Sequence, residues 1–268
     1  MHPQIHEREA AFHDQWAGQS RPQDIPLKQM FEGPVALENK FILNRMGDLN
    51  GKAILDIGAG LGESSVYFAS RGATVTSLDI SVEMVHFALR LAAFHGVTIQ
   101  SRVMAAESLN EPDNKFDYVY IANTFHHVTD KPALMREINR VLKPGGSFFS
   151  IDPLNYNPLI NVYRRMATQV RTVDEKPLTF DDVKLAGQYF ADVGHREFWI
   201  AGLALFVKYF LVNRVHPNAD RYWKRIFLET PQSLWWWQPL RLADCALTRL
   251  AGVRRLAWNM VMWGRKRM

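Results

Sequence analysis

The chain has 268 residues, 47% of them hydrophobic and 22% charged, which excludes a disordered chain and leaves ample length for a large core. A single cysteine, Cys245, excludes an internal disulfide and fits a reducing cytoplasm, and the net charge of +5 forms no broad basic stripe of the kind that tracks nucleic acid. No basic start with an apolar core and a small-residue cleavage site opens the sequence, so no signal peptide is expected; the longest apolar run, Ile200 to Val212, is broken by Lys208 and falls short of the ~20 residues a bilayer span needs.

Residues 1–20 carry a polar helical pattern that brings Phe12, His13 and Trp16 together. Prolines mark 21–34 as loop, and Val35 to Met46 reads as a helix closed by Gly47. Ala53 to Ile57 is a short apolar run with Asp56 inside it, a buried strand. Gly58, Gly60 and Gly62 follow as a glycine turn, then a helix from Ser64 to Ser70. Glycines accept dihedrals that a Cβ forbids, and a helix start offers free N–H groups. The corner therefore reads either as a nucleotide-binding site or as plain turn chemistry. Thr74 to Leu78 is a second strand ending at Asp79, and Ser81 caps a helix that runs to Gly96. Thr98 to Met104 and Phe116 to Ala122 are strands three and four. A helix over Pro132 to Leu142 is stopped by Lys143-Pro-Gly-Gly146, and strand five, Ser147 to Ile151, ends at Asp152. Strands alternating with helices predict a parallel sheet with right-handed crossovers.

Beyond Asp152 the pattern changes. Asn155 to Val170 reads as a helix with Arg164-Arg165, Phe180 to Phe190 as another, and Gly194 to Ile200 as strand six. A Trp-rich stretch of residues 201–254 precedes a last strand, Arg255 to Trp263. Within it Leu203, Phe206, Val207, Phe210 and Leu211 fall at helical intervals. So do Trp223, Ile226 and Phe227, with Arg221, Lys224 and Arg225 on the other face.

Asp79 lies 21 residues after Gly58, where an acid at the end of strand two can hold both hydroxyls of a ribose. The glycines run Gly-Ala-Gly-Leu-Gly with Glu63 next, whereas the dinucleotide pattern places its third glycine one residue later. Together with Phe116-Asp-Tyr-Val-Tyr-Ile-Ala-Asn-Thr-Phe-His-His-Val128 and Arg140-Val-Leu-Lys-Pro-Gly-Gly-Ser-Phe-Phe149, this series resembles the motifs of class I S-adenosylmethionine (SAM)-dependent methyltransferases. The likeness is close over residues 35–155 and is nearest to the quinone and small-molecule branch with a His pair after strand four. It implies an α/β, Rossmann-like, seven-stranded, mostly parallel sheet with the last strand antiparallel, an N-terminal helical lid and a helical insertion between strands six and seven. It also implies one domain over 1–268: helices and lid (1–50), SAM-binding core (51–155), substrate-side helices and strand six (156–200), insertion (201–254) and last strand (255–268).

The same resemblance assigns Asp56, Gly58, Gly60 and Gly62 to the methionine part of SAM, Asp79 to the ribose and Ile80 to the adenine. Ala106 and Glu107 fall at the adenine edge. Many relatives have an acid where this chain has Ala105, so the adenine amino contact falls to Glu107 or to backbone. Asn123 falls on the methyl-transfer channel. The product of the cofactor is S-adenosylhomocysteine. Because the sulfonium methyl is already activated, the protein has mainly to align nucleophile, methyl and sulfur and to exclude water. His126 and His127 are the candidate bases, His126 facing substrate and His127 buttressing the loop. Asp152, Asn155, Tyr163, Arg164, His13 and Trp16 are candidate substrate contacts; Arg164-Arg165 suits either an anionic substrate group or a solvated helix face. No metal site is expected, because His2, His6 and His13 sit without cysteines and His126-His127 lack a third ligand.

Strand six runs parallel, so the insertion leaves and returns at the ligand-binding edge. Apolar, Trp-rich and basic, it suits a cover over a lipid-like acceptor or a membrane surface; a dimer interface or an enlarged core is the bland counterpart. The expected function is therefore methyl transfer to a hydrophobic or amphipathic small molecule by an enzyme that is cytoplasmic, either free or membrane-peripheral, and uses no nucleic acid. Methylation of a soluble thiol, amine or phenol, and non-catalytic SAM binding, are the alternatives.

Overall fold

The computed structural model describes residues 3–169, 171–172, 175–220, 222–229 and 234–268. Three N-terminal helices, α1 (Pro3–Gly18), α2 (Leu27–Glu32) and α3 (Leu37–Met46), precede strand β1 (Ala53–Ile57). Then come α4 (Glu63–Ser70), β2 (Thr74–Asp79), α5 (Val82–Phe94), β3 (Gln100–Val103), β4 (Phe116–Ala122), α6 (Lys131–Val141) and β5 (Leu142–Pro153). The second half holds α7 (Pro158–Met166), α8 (Phe180–Tyr189), β6 (Ala191–Phe198), α9 (Ala204–Val207), α10 (Tyr222–Glu229), α11 (Leu234–Leu247) and β7 (Asn259–Arg265). The seven strands form one sheet in the order β3-β2-β1-β4-β5-β7-β6. β7 runs antiparallel to both of its neighbours, and the β1–β2, β1–β4, β2–β3 and β4–β5 pairings are parallel. This is the architecture expected of the sequence.

Alternation along each strand supplies two cores. Ile54, Tyr120, Phe149 and Val261 point to the side covered by α2 to α5 and the insertion. Leu55, Val119, Phe148, Met260 and Met262 point to the side covered by α6 and α8. Local chemistry sets the helix ends. The Ser81 hydroxyl accepts from Met84 N at 3.0 Å, Asp130 accepts from Ala133 N at 2.8 Å, and Thr179 with Asp182 forms a capping box.

Several boundaries differ from the sequence expectation for identifiable reasons. Lys143 to Gly146 is a bulge inside β5 instead of a turn before it: the pairing with β4 jumps from Phe116↔Leu142 to Tyr118↔Ser147, and Gly145 takes φ +76. The helix expected from Asn155 begins at Pro158, because Asn157 accepts from Leu159 N and Ile160 N and so caps it; Val170 lies outside the described residues. The last strand begins at Asn259, since Val253–Leu256 is a 3-10 turn. In the insertion, α9 runs into a π-helical turn, Lys208–Val212. That turn breaks the expected apolar stripe, leaving Leu203 and Phe206 buried but Val207, Phe210 and Leu211 exposed. Arg221 lies outside the described residues. The partners Phe198↔Asn259 and Pro153↔Asn259 place both ends of the insertion at the edge where β5 ends.

Candidate active site

A cavity of about 370 Å³ opens at that edge. One wall is the corner between β1 and α4. Gly58 has φ +66, and a Cβ there would strike the Thr124 side chain; Gly60 has φ +56 with open space where its Cβ would stand. The Gly60 N–H donates to Asp79 Oδ2 at 2.8 Å, and the Ser81 N–H donates to Asp79 Oδ1 at 2.9 Å. Burial pushes the Asp79 carboxyl above its usual range even though nearby His13 and these backbone donors oppose it. Ile80, Met104, Ala106 and Glu107 continue this wall. Open backbone at Gly60, a carboxylate at the end of β2 and an apolar flank fit an adenosyl group.

Two residues assigned to the cofactor lie one layer behind the surface. Asp56 Oδ2 accepts from Ser64 Oγ at 2.5 Å and Ser65 Oγ at 2.6 Å, so this carboxylate ties β1 to the first turn of α4 and does not line the cavity. Burial pushes its pKa up to about 6, against those two hydroxyls. Gly62, φ +84, is also off the cavity; a Cβ there would lie 2.6 Å from the Cβ of Ala88, so it allows α5 to pack on α4.

The second wall follows β4. Asn123, φ +53, turns the chain and donates its N–H to Ile151 O at 2.7 Å. Phe125 to His127 then form a 3-10 turn that brings both histidines to the cavity. His126 is 5% exposed. Its Nδ1 lies 2.7 Å from Asp152 Oδ1, a hydrogen bond between the two, and its Nε2 is the ring nitrogen that points elsewhere, 3.9 Å from Glu175 Oε2. Burial, with the charges of His127, Arg171, Arg164 and Lys131, pushes the His126 imidazole well down; burial pushes Asp152 well up. His127 stacks 4.1 Å from His126, with Nδ1 3.2 Å from Glu9 Oε1. Asp152 is thus a support behind His126 instead of a cavity-lining contact. Asn155 faces solvent, its carbonyl accepting from Asn161 Nδ2, and lies off the cavity.

The lid is α1. Asp14 accepts from Ser81 Oγ at 2.5 Å and Glu83 N at 3.2 Å, His6 lies 3.7 Å from Glu107, and Trp16 meets Trp223 at 6.3 Å. His13 and Trp16 line the cavity. Burial would raise Glu9, but the close His127 and His13 rings and Thr172 outweigh it and hold the carboxyl below the usual range.

A further part of the cavity wall is formed by Tyr163, Arg164, Arg171, Glu175, Trp199 and Trp258. Arg164 therefore faces the cavity, while Arg165 takes the solvated face. Arg164 Nη1 donates to Asn161 Oδ1 at 2.8 Å, whereas its buried Nε and Nη2 have no hydrogen-bond partner among the described residues. Burial and Arg171 push Arg164 down to about 9, still cationic at neutral pH; burial pushes Arg171 down to about 10. Glu175 supplies a third potential metal ligand, its oxygen and the two histidine nitrogens lying within 4.8 Å of one another, which the sequence reading did not anticipate. Arg171 already pairs with that carboxylate, so the local charge favours an anion over a cation. His2 lies outside the described residues. Glu9, Thr124, Arg171 and Glu175 were missed from sequence. Thr124 sits beside Asn123 and Glu9 one turn before His13, both faint signals; Arg171 and Glu175 carry none.

Residues 55–150 match the profile of a family described as "Methyltransferase domain". The chain is 32% identical to Arabidopsis thaliana phosphoethanolamine N-methyltransferase 3 over 152 residues, 55% of this chain and 29% of that protein. It is 37% identical to the Aeromonas salmonicida ubiquinone biosynthesis O-methyltransferase over 134 residues, 50% of this chain and 54% of that protein. The chain thus spans about half or less of the length of these relatives. Among solved structures, Haemonchus contortus phosphoethanolamine N-methyltransferase 2, in complex with phosphomonomethylethanolamine and S-adenosylhomocysteine, superposes with a TM-score of 0.61 at 19% identity, covering 97% of this chain and 60% of that one. The cyclase SpnF superposes at 0.56 with 20% identity, covering 85% and 79%. These superpositions show the fold, which hosts more than one reaction. Residues 55–150 of this chain thus match a methyltransferase domain, set in a fold that solved methyltransferases share.

Proposed function

We propose that this protein transfers the methyl group of SAM to an amphipathic small molecule that carries an anionic group. The observation behind this is Arg164, whose guanidinium lies in the cavity wall with two buried nitrogens lacking partners among the described residues. Burying an unpaired cation is unfavourable, and an anion with oxygens matched to the guanidinium fork relieves it. Tyr163, Trp199 and Trp258 beside it offer apolar surface to the rest of the acceptor. The names of the relatives are in keeping with this, since phosphoethanolamine carries an anionic phosphate.

SAM, when bound, supplies a methyl group already activated on a sulfonium. In this reading Asp79 accepts hydrogen bonds from the ribose, Gly58 and Gly60 let backbone approach, and Ile80, Ala106 and Glu107 flank the adenine. Asn123 borders the path between cofactor and acceptor. His126 Nε2 takes the acceptor proton where the acceptor is protonated. Asp152 holds the ring by Nδ1, and its raised pKa lets the pair finish uncharged in a site away from water. The α1 helix, through Glu9, His13 and Trp16, covers the site and excludes water. A panel of matched acceptors with and without a phosphate or carboxylate tests the reading. Release of S-adenosylhomocysteine should rise steeply for the anionic members; equal turnover on the neutral analogues would sink it.

A further inference from the structure

We infer that the turn from Val207 to Arg214 docks this protein on a lipid surface carrying anionic headgroups. The inference deepens the amphipathic-acceptor reading and rests on it for its purpose, though not for its geometry. Val207, Phe210, Leu211 and Val212 are 38%, 39%, 65% and 74% exposed. A stripe of this composition at helical spacing belongs in a core, and here it stands out in solvent because the π-helical turn Lys208–Val212 shifts its phase. Tyr209 is the anchor. It is 1% exposed, packs on Tyr222 at 5.3 Å, lies under the Arg225 guanidinium at 5.1 Å, and accepts from Val215 N at 3.1 Å through its carbonyl. The apolar side chains are thus held out on a fixed base.

Charge selects the occupant. No acidic residue occurs between Glu197 and Asp220, while Lys208, Arg214 and His216 do. Lys208 and Arg214 are exposed beside the apolar residues. A two-fold contact with a second copy would bring like charges together, whereas an anionic lipid interface receives apolar tips and pairs with the cations around them. No helix of the described residues is long and apolar enough to cross a membrane, so docking is interfacial. The position is apt. Phe206, one turn earlier, packs on Tyr163 at 5.1 Å and Trp258 at 4.8 Å, both in the cavity wall. A protein seated by this turn holds that wall beside the lipid surface.

Flotation of the full chain with phosphatidylcholine vesicles, with and without phosphatidylglycerol, tests this. The wild type should float with the anionic vesicles, less so as salt rises. The double substitution Leu211→Asp/Val212→Asp should reduce flotation about tenfold or more, with SAM affinity by calorimetry unchanged; Leu211→Ser serves as a milder variant with a smaller loss. Wild-type protein that stays with the aqueous phase, variants that float equally, or a wild-type dimer dispersed by the same substitutions would each overturn the inference. Flotation without methyl transfer would retire the acceptor reading and leave the docking surface standing. Methylation of an anionic acceptor without flotation would do the reverse.

Discussion

Asp79→Asn exchanges one heavy atom, a carboxylate oxygen for an amide nitrogen, at the point where the cofactor reading is most exposed. In the wild type each carboxylate oxygen already accepts one backbone N–H, from Gly60 at 2.8 Å and from Ser81 at 2.9 Å. The remaining lone pairs are those available to a ribose. Asn keeps one acceptor oxygen, and its NH₂ group then opposes one of the two backbone donors. The lost charge-assisted bond to the ligand is worth about 1.5–3 kcal/mol, which is roughly 10–150-fold in the Kd for SAM. The stranded backbone donor costs about 1–3 kcal/mol of stability, so the melting temperature should fall by several degrees as well. The two effects are separable: calorimetric titration well below the melting transition reads affinity in folded protein, and a thermal scan reads stability. A folded Asp79→Asn protein with wild-type SAM affinity would refute the assignment of this carboxylate to the cofactor.

Arg164→Gln should raise the KM of an anionic acceptor about 10–100-fold, measured by initial rates. The ligand-free variant should melt no lower than the wild type, because an unpaired buried cation has been removed. Asp152→Asn should lower kcat about 10–100-fold with little change in SAM affinity, since it disturbs the tautomer and orientation of His126; wild-type kcat would show that His126 needs no such support. Asp56 titrates at about 6 in the folded protein against 3.8 ordinarily. Its contribution to stability is therefore full below the ordinary value and is lost as pH rises through the folded one. The difference in unfolding free energy between wild type and Asp56→Asn should shift toward the wild type by up to about 3 kcal/mol between neutral pH and about pH 4. Chemical denaturation at a series of pH values reads it, and a flat difference would count against a buried, ionisable Asp56.

The sheet was legible because β1 and β4 are short apolar runs and the remaining strands alternate between turn and capping residues, even the polar edge strand β3. The corner at Gly58 to Asp79 was legible because its glycines take positive φ, where a Cβ is disfavoured, and an acid ends β2 at a fixed spacing from them. Depth was not legible. Asp56 and Asp152 belong to strands at the right edge, yet both carboxylates are buried behind the cavity, and at Asp152 the alternation shows why. Ile151 faces the cavity, and its neighbour Asp152 points to the other layer and holds His126 from behind. The exposed Phe210–Val212 turn was hidden for a different reason: helical spacing predicts a continuous stripe, and the π-turn that interrupts it depends on the tertiary seat of Tyr209. Arg171 and Glu175 reach the site from a loop without periodicity, so only the folded chain reveals them.

The central claim, methyl transfer from SAM to an anionic amphipathic acceptor, is tested most directly by tracing the methyl group itself. The full chain is incubated with methyl-deuterated SAM and a lipid-plus-metabolite extract, and products are read by mass spectrometry. The account predicts deuteromethyl label in an anionic, amphipathic species, release of S-adenosylhomocysteine, and loss of both with Arg164→Gln at limiting acceptor. Label confined to neutral soluble compounds, or SAM bound with no label transferred, would contradict it.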